Sequence, residues 1–342
     1  MRGDCEAVEA KGINRFVWAE VMARSNAQTG QILTRERSRS YWAISLRRLM
    51  RKKVGVVCLV VIVLMYGAGI FSPLVTPYDY NDQDLSVAKQ TPSFSHPFGT
   101  DRLGRDIFTR VIYGLRTTVI ITVVSLVTGS LALGLTLGLL SGYFGKWIDT
   151  IIMRVGEVTS AFPEIFLVLI IIASVKPTVT GWARVVEDLL RVDIVRLGVV
   201  DYLVLSLALA IFSWFGMARL VRGQVLQQRE GQYVEAARSI GASTPRILLR
   251  HVLPNVMGPV IVVVSAGMAA VAGSEVLLSF LGIGIQPPTP SLGLMMFENG
   301  SISVLRTTPH LLLFPAGTLT VLLFTFNLLG DAINDAFNPR TR

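Results

Sequence analysis

Six stretches of this chain are long enough, and free enough of charge, to cross a lipid bilayer. That feature restricts the fold more than any other. The stretches run over about 54–71, 117–140, 151–175, 199–220, 256–285 and 311–329. A transmembrane helix needs about 20 predominantly apolar residues. Lipid offers no hydrogen bonds to a bare backbone, so each span must be a helix that satisfies its own peptide groups. The expected fold is therefore all-α, a polytopic membrane protein with six transmembrane helices. Only 16% of the residues are charged, against about 25% in an ordinary soluble domain. The net charge is +9, but the cations lie between apolar runs, which speaks for a membrane and against nucleic acid. Cys5 and Cys58 provide neither a disulfide framework nor metal-ligand spacing.

Lysine and arginine counts orient the spans. With six spans the termini share a side, and that side carries 22 of the 32 Lys and Arg residues, the other side 10. By the positive-inside rule the termini, and the connection between spans four and five, are expected in the cytoplasm. The chain divides into a tail and amphipathic approach helix over 1–53, with Trp42, Ile44, Leu46 and Leu49 meeting the membrane surface. A first span and outer segment over 54–116, a core over 117–330 and a short tail over 331–342 follow. Gly134, Gly138 and Gly142 put small residues on one face of span two, where helices can approach closely. Pro163 is expected to kink span three, with Arg154 and Glu157 at that span's start. The outer segment 176–200 holds Trp182, Val185, Val186, Leu189 and Leu190 at helical spacing opposite Arg184, Glu187, Asp188 and Arg191, which suggests a separate interfacial helix.

The most informative connection joins spans four and five. Gln232 to Ile240 is rich in helix formers, and Gly241 suits a left-handed helix end. Ser243 or Thr244 can cap a second helix, Pro245 fits its first turn, and Pro254 marks the start of the next element. A structured basic hairpin with Arg238, Arg246 and Arg250 is more than a connector requires. Glu235-Ala236-Ala237, then Gly241, then Leu253-Pro254 resembles the Glu-Ala-Ala motif of permease subunits of binding-protein-dependent ABC importers. His251-Val-Leu-Pro-Asn255 points to the dipeptide, oligopeptide and nickel branch. The resemblance implies the type I ABC importer transmembrane fold. It also implies that Glu235, Ala236, Ala237, Arg238, Gly241, Ala242, Arg246, His251, Leu253 and Pro254 form a coupling hairpin for a cytoplasmic ATPase.

Other stretches point the same way. Gly99-Thr-Asp-Arg-Leu-Gly-Arg-Asp106 resembles the branch signature before the core; its Thr100 or Asp101 is expected to cap a short helix, and its charges to orient the outer segment. Glu275 is the one acidic residue well inside a span, so it must face the bundle interior, water or a partner. Glu275, Ser279 and Asn327 are candidates for the pathway or its gate, and interhelical stitching by Glu275 has equal weight. Leu292 stands where the branch usually has Trp.

No phosphate-binding Gly-rich loop is present, so ATP and Mg are expected on partner subunits and no cofactor on this chain. The resemblance implies a heterodimer with a homologous permease, two ATPases and an extracytoplasmic binding protein, in a prokaryotic cell membrane. The cargo would be peptides or related solutes such as nickel complexes. The alternative is an ion-coupled transporter or channel without an ATPase; such proteins carry paired ionisable residues or repeated broken helices, and Glu275 alone supports it thinly.

Overall fold

The structure, a computed structural model, describes residues 41–337 except 192–194 and 196. The tail before residue 41, residues 338–342 and the side chains expected at the membrane surface from Trp42 and Ile44 lie outside the described set. Among the described residues all regular elements are helical. They are α1 (Tyr41–Arg51), α2 (Lys53–Ile70), α3 (Ser72–Val75), α4 (Ile107–Phe144), α5 (Lys146–Ser160), α6 (Glu164–Leu190), α7 (Val199–Gln228), α8 (Gln232–Ser239), α9 (Thr244–Phe280), α10 (Leu292–Asn299), α11 (Ile302–Thr307) and α12 (His310–Phe337). Six of these, α2, α4, α6, α7, α9 and α12, are long and apolar enough to cross a membrane.

Several boundaries differ from the sequence reading. Span two starts ten residues early, where Asp106 caps its helix and its carboxylate accepts from Thr109 N at 2.7 Å; no helix starts at Thr100 or Asp101, the residues expected to cap a short one. Span three does not begin at Ile151. The chain breaks completely at Ala161–Pro163, and α5 is a separate helix whose Ile151, Val155 and Val158 are exposed. Proline forces the residue before it out of the helical region and lacks an N–H, so a break is cheaper than a kink here. Arg154 and Glu157 therefore lie on α5, paired at 2.9 Å. The stretch expected as a separate interfacial helix instead continues α6 without interruption through Pro177 to Leu190.

α4 and α7 form the most intimate pair. An added Cβ at Gly134, Gly138 or Gly142 would stand 2.7 Å from Met217, Val221 or Val225 of α7. Ser125 Oγ donates to Ser206 O at 3.0 Å across the same seam. The small-residue face thus serves contact within the chain. Part of this helix, Leu126–Gly134, is wound as a wider π-helix. α12 packs with α2, α4 and α9 around Leu311, Leu322, Phe326 and Met295. On the hairpin side, Asp149 of α5 takes Arg222 Nη2 at 2.7 Å, and this bonding from Arg222 holds its carboxyl below the usual range despite partial burial.

Replacing Gly138 by Val should cost about 1–3 kcal/mol or more, since the seam cannot widen without losing its hydroxyl–carbonyl bonds. Gly223→Ala in α7, where an added Cβ meets nothing within 4 Å, should be neutral or stabilising. Thermal unfolding of the purified protein in detergent compares the two; equal melting temperatures would contradict the packing account.

Candidate functional site

The hairpin ends its first arm as the sequence suggested. Gly241 has φ +78°. Gly241 N donates to Arg238 O at 2.9 Å and Ala242 N to Ala237 O at 3.0 Å, the paired bonds that terminate a helix through a left-handed residue. Ser243 stands at the second helix's N-cap but makes no side-chain cap bond, and Pro245 occupies the first turn. That second arm does not stop at Pro254. It runs on as one helix of 37 residues, Thr244–Phe280, into span five. The turn Leu248–Val252 is widened to π geometry just before Pro254, which absorbs the missing N–H and the ring bulk.

Two faces of the hairpin are distinct. Val234, Ala237, Ile247 and Leu248 are buried in a cluster with Leu139 of α4, Val221 and Val225 of α7, and Val252 and Val256 of α9. Arg238, though exposed, lies over the Tyr143 ring at 5.4 Å. Glu235, Ala236, Gly241, Arg246 and Pro254 are exposed, while Ala242, His251 and Leu253 are half-buried. Ile240, which the sequence reading passed over, is 85% exposed between them. Only its place one residue before the left-handed glycine hinted at this. The candidate coupling residues therefore separate into one anchor, Ala237, and an outward surface from Glu235 to Arg246.

The polar candidates at the far end of the spans are arranged differently. Glu275 has no exposed surface. Its carboxylate accepts Thr118 Oγ1 of α4 at 3.0 Å, Ser279 Oγ at 3.1 Å and Ser291 Oγ at 3.2 Å. Ser279 Oγ also accepts Ile285 N at 3.3 Å, and Ser291 caps α10. Glu275 and Ser279 thus share one cluster that joins α4, α9 and the loop into α10. Asn327 is apart from it, exposed on α12, where its Nδ2 donates to Leu323 O of its own helix at 3.0 Å. Leu292 is fully buried, beside Gly114.

The Gly99–Asp106 signature folds into a charge clamp. Asp101 accepts Leu103 N, Arg105 N, Arg105 Nε and Arg110 Nη1 at 2.8, 3.0, 2.7 and 2.6 Å. Arg102 Nη2 donates to Glu298 O of α10 at 3.2 Å. His96 Nδ1 lies 3.0 Å from Asp106 and its ring stacks on Tyr78. Phe98 stacks on Phe314 of α12 at 4.0 Å. Burial alone would raise the Asp101 carboxyl, but Arg110 and Arg105 outweigh it and hold it below the usual 3.8. These contacts fasten the segment between spans one and two onto α4, α10 and α12.

Residues 134–342 match the model of the binding-protein-dependent transport system inner membrane component. The chain belongs to that family. Residues 40–92 match the N-terminal TM domain of oligopeptide transport permease C. Among relatives, the dipeptide transport system permease protein DppC of Alkalihalophilus pseudofirmus is 34% identical over 303 residues, 89% of this chain and 91% of that protein. The oligopeptide transport system permease protein OppC of Bacillus subtilis is 34% identical over 320 residues, 94% and 96% of the two. The glutathione transport system permease protein GsiD of Pectobacterium atrosepticum is 36% identical over 307 residues, 89% and 93%. This chain is thus a permease subunit of an ABC importer, with the type I transmembrane fold, and not a free-standing ion-coupled transporter.

Glu275→Gln keeps one acceptor oxygen for Ser279 and Ser291 but turns the oxygen that takes Thr118 Oγ1 into an amide donor, so that bond must be lost or reversed, a cost of about 1 kcal/mol. The folded yield should fall, and Thr118→Val should lower it less when Glu275 is already replaced; independent, additive losses would break the cluster account. For Asp101 the lowered folded-state value means that its stabilisation is present above pH 3.8 and lost as pH falls below it. Asp101→Asn should destabilise at neutral pH by about 3–5 kcal/mol and flatten the acid limb of the melting-temperature profile; an unchanged profile would contradict the clamp.

Proposed function

We propose that this chain forms one half of the translocation pathway of an ATP-driven importer of short peptides, di- or oligopeptides or a glutathione-like peptide. The branch motifs and the peptide cargo in the names of the relatives support that cargo. A homologous permease would supply the other half, an extracytoplasmic protein would deliver substrate, and two ATPases would bind ATP and Mg on the cytoplasmic side. The charge asymmetry of 22 to 10 supports cytoplasmic termini and a cytoplasmic hairpin in a prokaryotic cell membrane.

The observation that carries the reading is the unbroken helix Thr244–Phe280. The hairpin surface of Glu235, Ala236, Ile240, Gly241 and Arg246 would seat in a groove on the ATPase, with the arginines meeting acidic groups there. Because the second arm is also the start of span five, a displacement imposed on the hairpin is a displacement of a pathway helix. ATP binding would draw the two ATPases together and switch the bundle from inward- to outward-facing, a two-state rearrangement of packed helices. In that cycle the Glu275–Ser279–Ser291 cluster would hold the far-side loop in one state and open in the other. Asn327, exposed on α12, would face the pathway or the second permease.

Gly241→Asp tests this. An added Cβ meets nothing within 4 Å inside the chain, so the penalty within the permease is the backbone strain of about 1 kcal/mol. The variant should insert at normal levels, still dock the binding protein, and lose both ATPase retention and substrate-stimulated ATP hydrolysis in the reconstituted complex. Wild-type values in both assays would remove the hairpin from the mechanism.

A further inference from the structure

The continuation of α6 has no part in the coupling account, yet it builds a recess. Between the last turns of α6 and the loop that follows α9 lies a hollow of about 610 Å³, walled by Ile172, Ala173, Lys176, Arg184, Ile283 and Gln286. Its lower wall is apolar and its upper wall is cationic. Lys176 Nζ reaches Asp201 Oδ1 at 2.8 Å, and the other Asp201 oxygen accepts Gln286 N at 3.1 Å, so that carboxylate is engaged on both oxygens. Arg184, two turns along α6, makes no ion pair among the described residues and is exposed at the recess.

The level of this hollow is set by the helices around it. α6 has 27 residues, about 40 Å at 1.5 Å per residue, against a hydrocarbon core of about 30 Å. That leaves its final turns, with the exposed Trp182 among them, free to stand in the headgroup layer on the side away from the hairpin. Asp201 is near the start of α7, on that same side. Trp182 is 68% exposed and Leu189 80% exposed, and exposed Trp is characteristic of a membrane interface. The share of buried residues is smaller in α6 than in any other candidate span, 11% against 28–50%. Lys176, Arg184 and Arg191 fall in this stretch, on the side that is otherwise poor in cations.

We propose that the recess between the outer turns of α6 and the loop after α9 binds the headgroup of an anionic phospholipid in the leaflet opposite the hairpin. The phosphate would sit at Arg184 with Lys176 below it, the acyl chains descending along Ile172 and Ala173. Arg184 supplies a planar donor fork for phosphate oxygens. Filling the recess would hold the outer end of α6 against the loop that Ser279 and Gln286 tie down, giving the extended helix a structural consequence.

The test uses the full-length chain in phosphatidylcholine nanodiscs doped with phosphatidylglycerol carrying a photoreactive headgroup. Cross-linked peptides are mapped by mass spectrometry. Labelling should concentrate on 172–186 and 282–286 and be competed by unlabelled phosphatidylglycerol, not by phosphatidylcholine or inorganic phosphate. Arg184→Glu should reduce labelling there several-fold with an unchanged melting temperature; Arg184→Lys, which keeps the charge without the fork, should reduce it less, and Arg306→Glu, which removes an exposed cation on the same side, should leave it unchanged. Unchanged labelling in Arg184→Glu, or equal competition by phosphatidylcholine, would overturn the site. Displacement by inorganic phosphate would overturn the lipid assignment in favour of a free anion.

Discussion

The close approach of α4 and α7 is the contact on which the other placements depend. In lipid there is no hydrophobic drive to bring two apolar helices together, so association rests on how near the backbones can come and on polar groups that meet across the seam. Gly134, Gly138 and Gly142 allow Met217, Val221 and Val225 to fill the space where side chains would otherwise stand. Ser125 and Ser130 then reach the carbonyls of Ser206 and Ser213 at 3.0 and 3.4 Å. With that pair fixed, Leu139 and Val225 present a surface on which the hairpin's Val234, Ala237 and Ile247 can pack. At the other end of α4, Thr118 is brought to Glu275. One helix thus carries the anchor of the hairpin at one end and a partner for the buried carboxylate at the other.

Among the described residues, several charged groups at the ends of the bundle leave water in partnered sets. Asp101 with Arg105 and Arg110, Asp149 with Arg222, and Lys176 with Asp201 each bridge two segments at an end of the bundle. Burying an ion without a partner is expensive, whereas a well-bonded pair mainly confers specificity of arrangement. Asp101 shows the distinction: four donors converge on it from a loop and a helix, beside the cap that Asp106 gives α4. The signature around it is therefore an instrument for joining segments, and its chemistry requires no substrate.

The sequence was most legible where a single physical rule operates. Six spans followed from apolar length, the small face of α4 from the spacing of its glycines, and the end of α8 from Gly241. It was least legible where a window average hides a local event. Ile151, Val155 and Val158 extend the apolar pattern of span three backwards into α5, yet Pro163 ends that run and starts a new helix. The reverse happened at Pro254, where a proline read as a boundary sits inside a continuous helix because the preceding turn is wide enough to accept it. Asp106 caps α4, while Asp101 holds a turn through Leu103 N and Arg105 N and takes two guanidiniums, a tertiary fact invisible in the local motif. Glu275 was recognisable as costly from its position alone, but its partners Thr118 and Ser291 lie far from it in sequence.

The hairpin arm and the Glu275 cluster lie at the two ends of one helix. α9 has 37 residues, which at 1.5 Å per residue is about 55 Å, longer than the bilayer core by almost a factor of two. Its first turns belong to the hairpin and its last turns to the Glu275 cluster. A helix packed along its length transmits a rigid-body shift far better than it stores one as bending. The two places where α9 can yield, the wide turn at Leu248–Val252 and Pro259, both lie near the hairpin. From Pro259 to Phe280 nothing comparable interrupts it. In the proposed cycle a displacement that passes Pro259 would reach Glu275, whose three hydroxyl bonds would either hold or part. Such a cluster is suited to be a latch because it has few alternative arrangements: with no exposed surface, Glu275 is either fully bonded or must be met by water or by a partner.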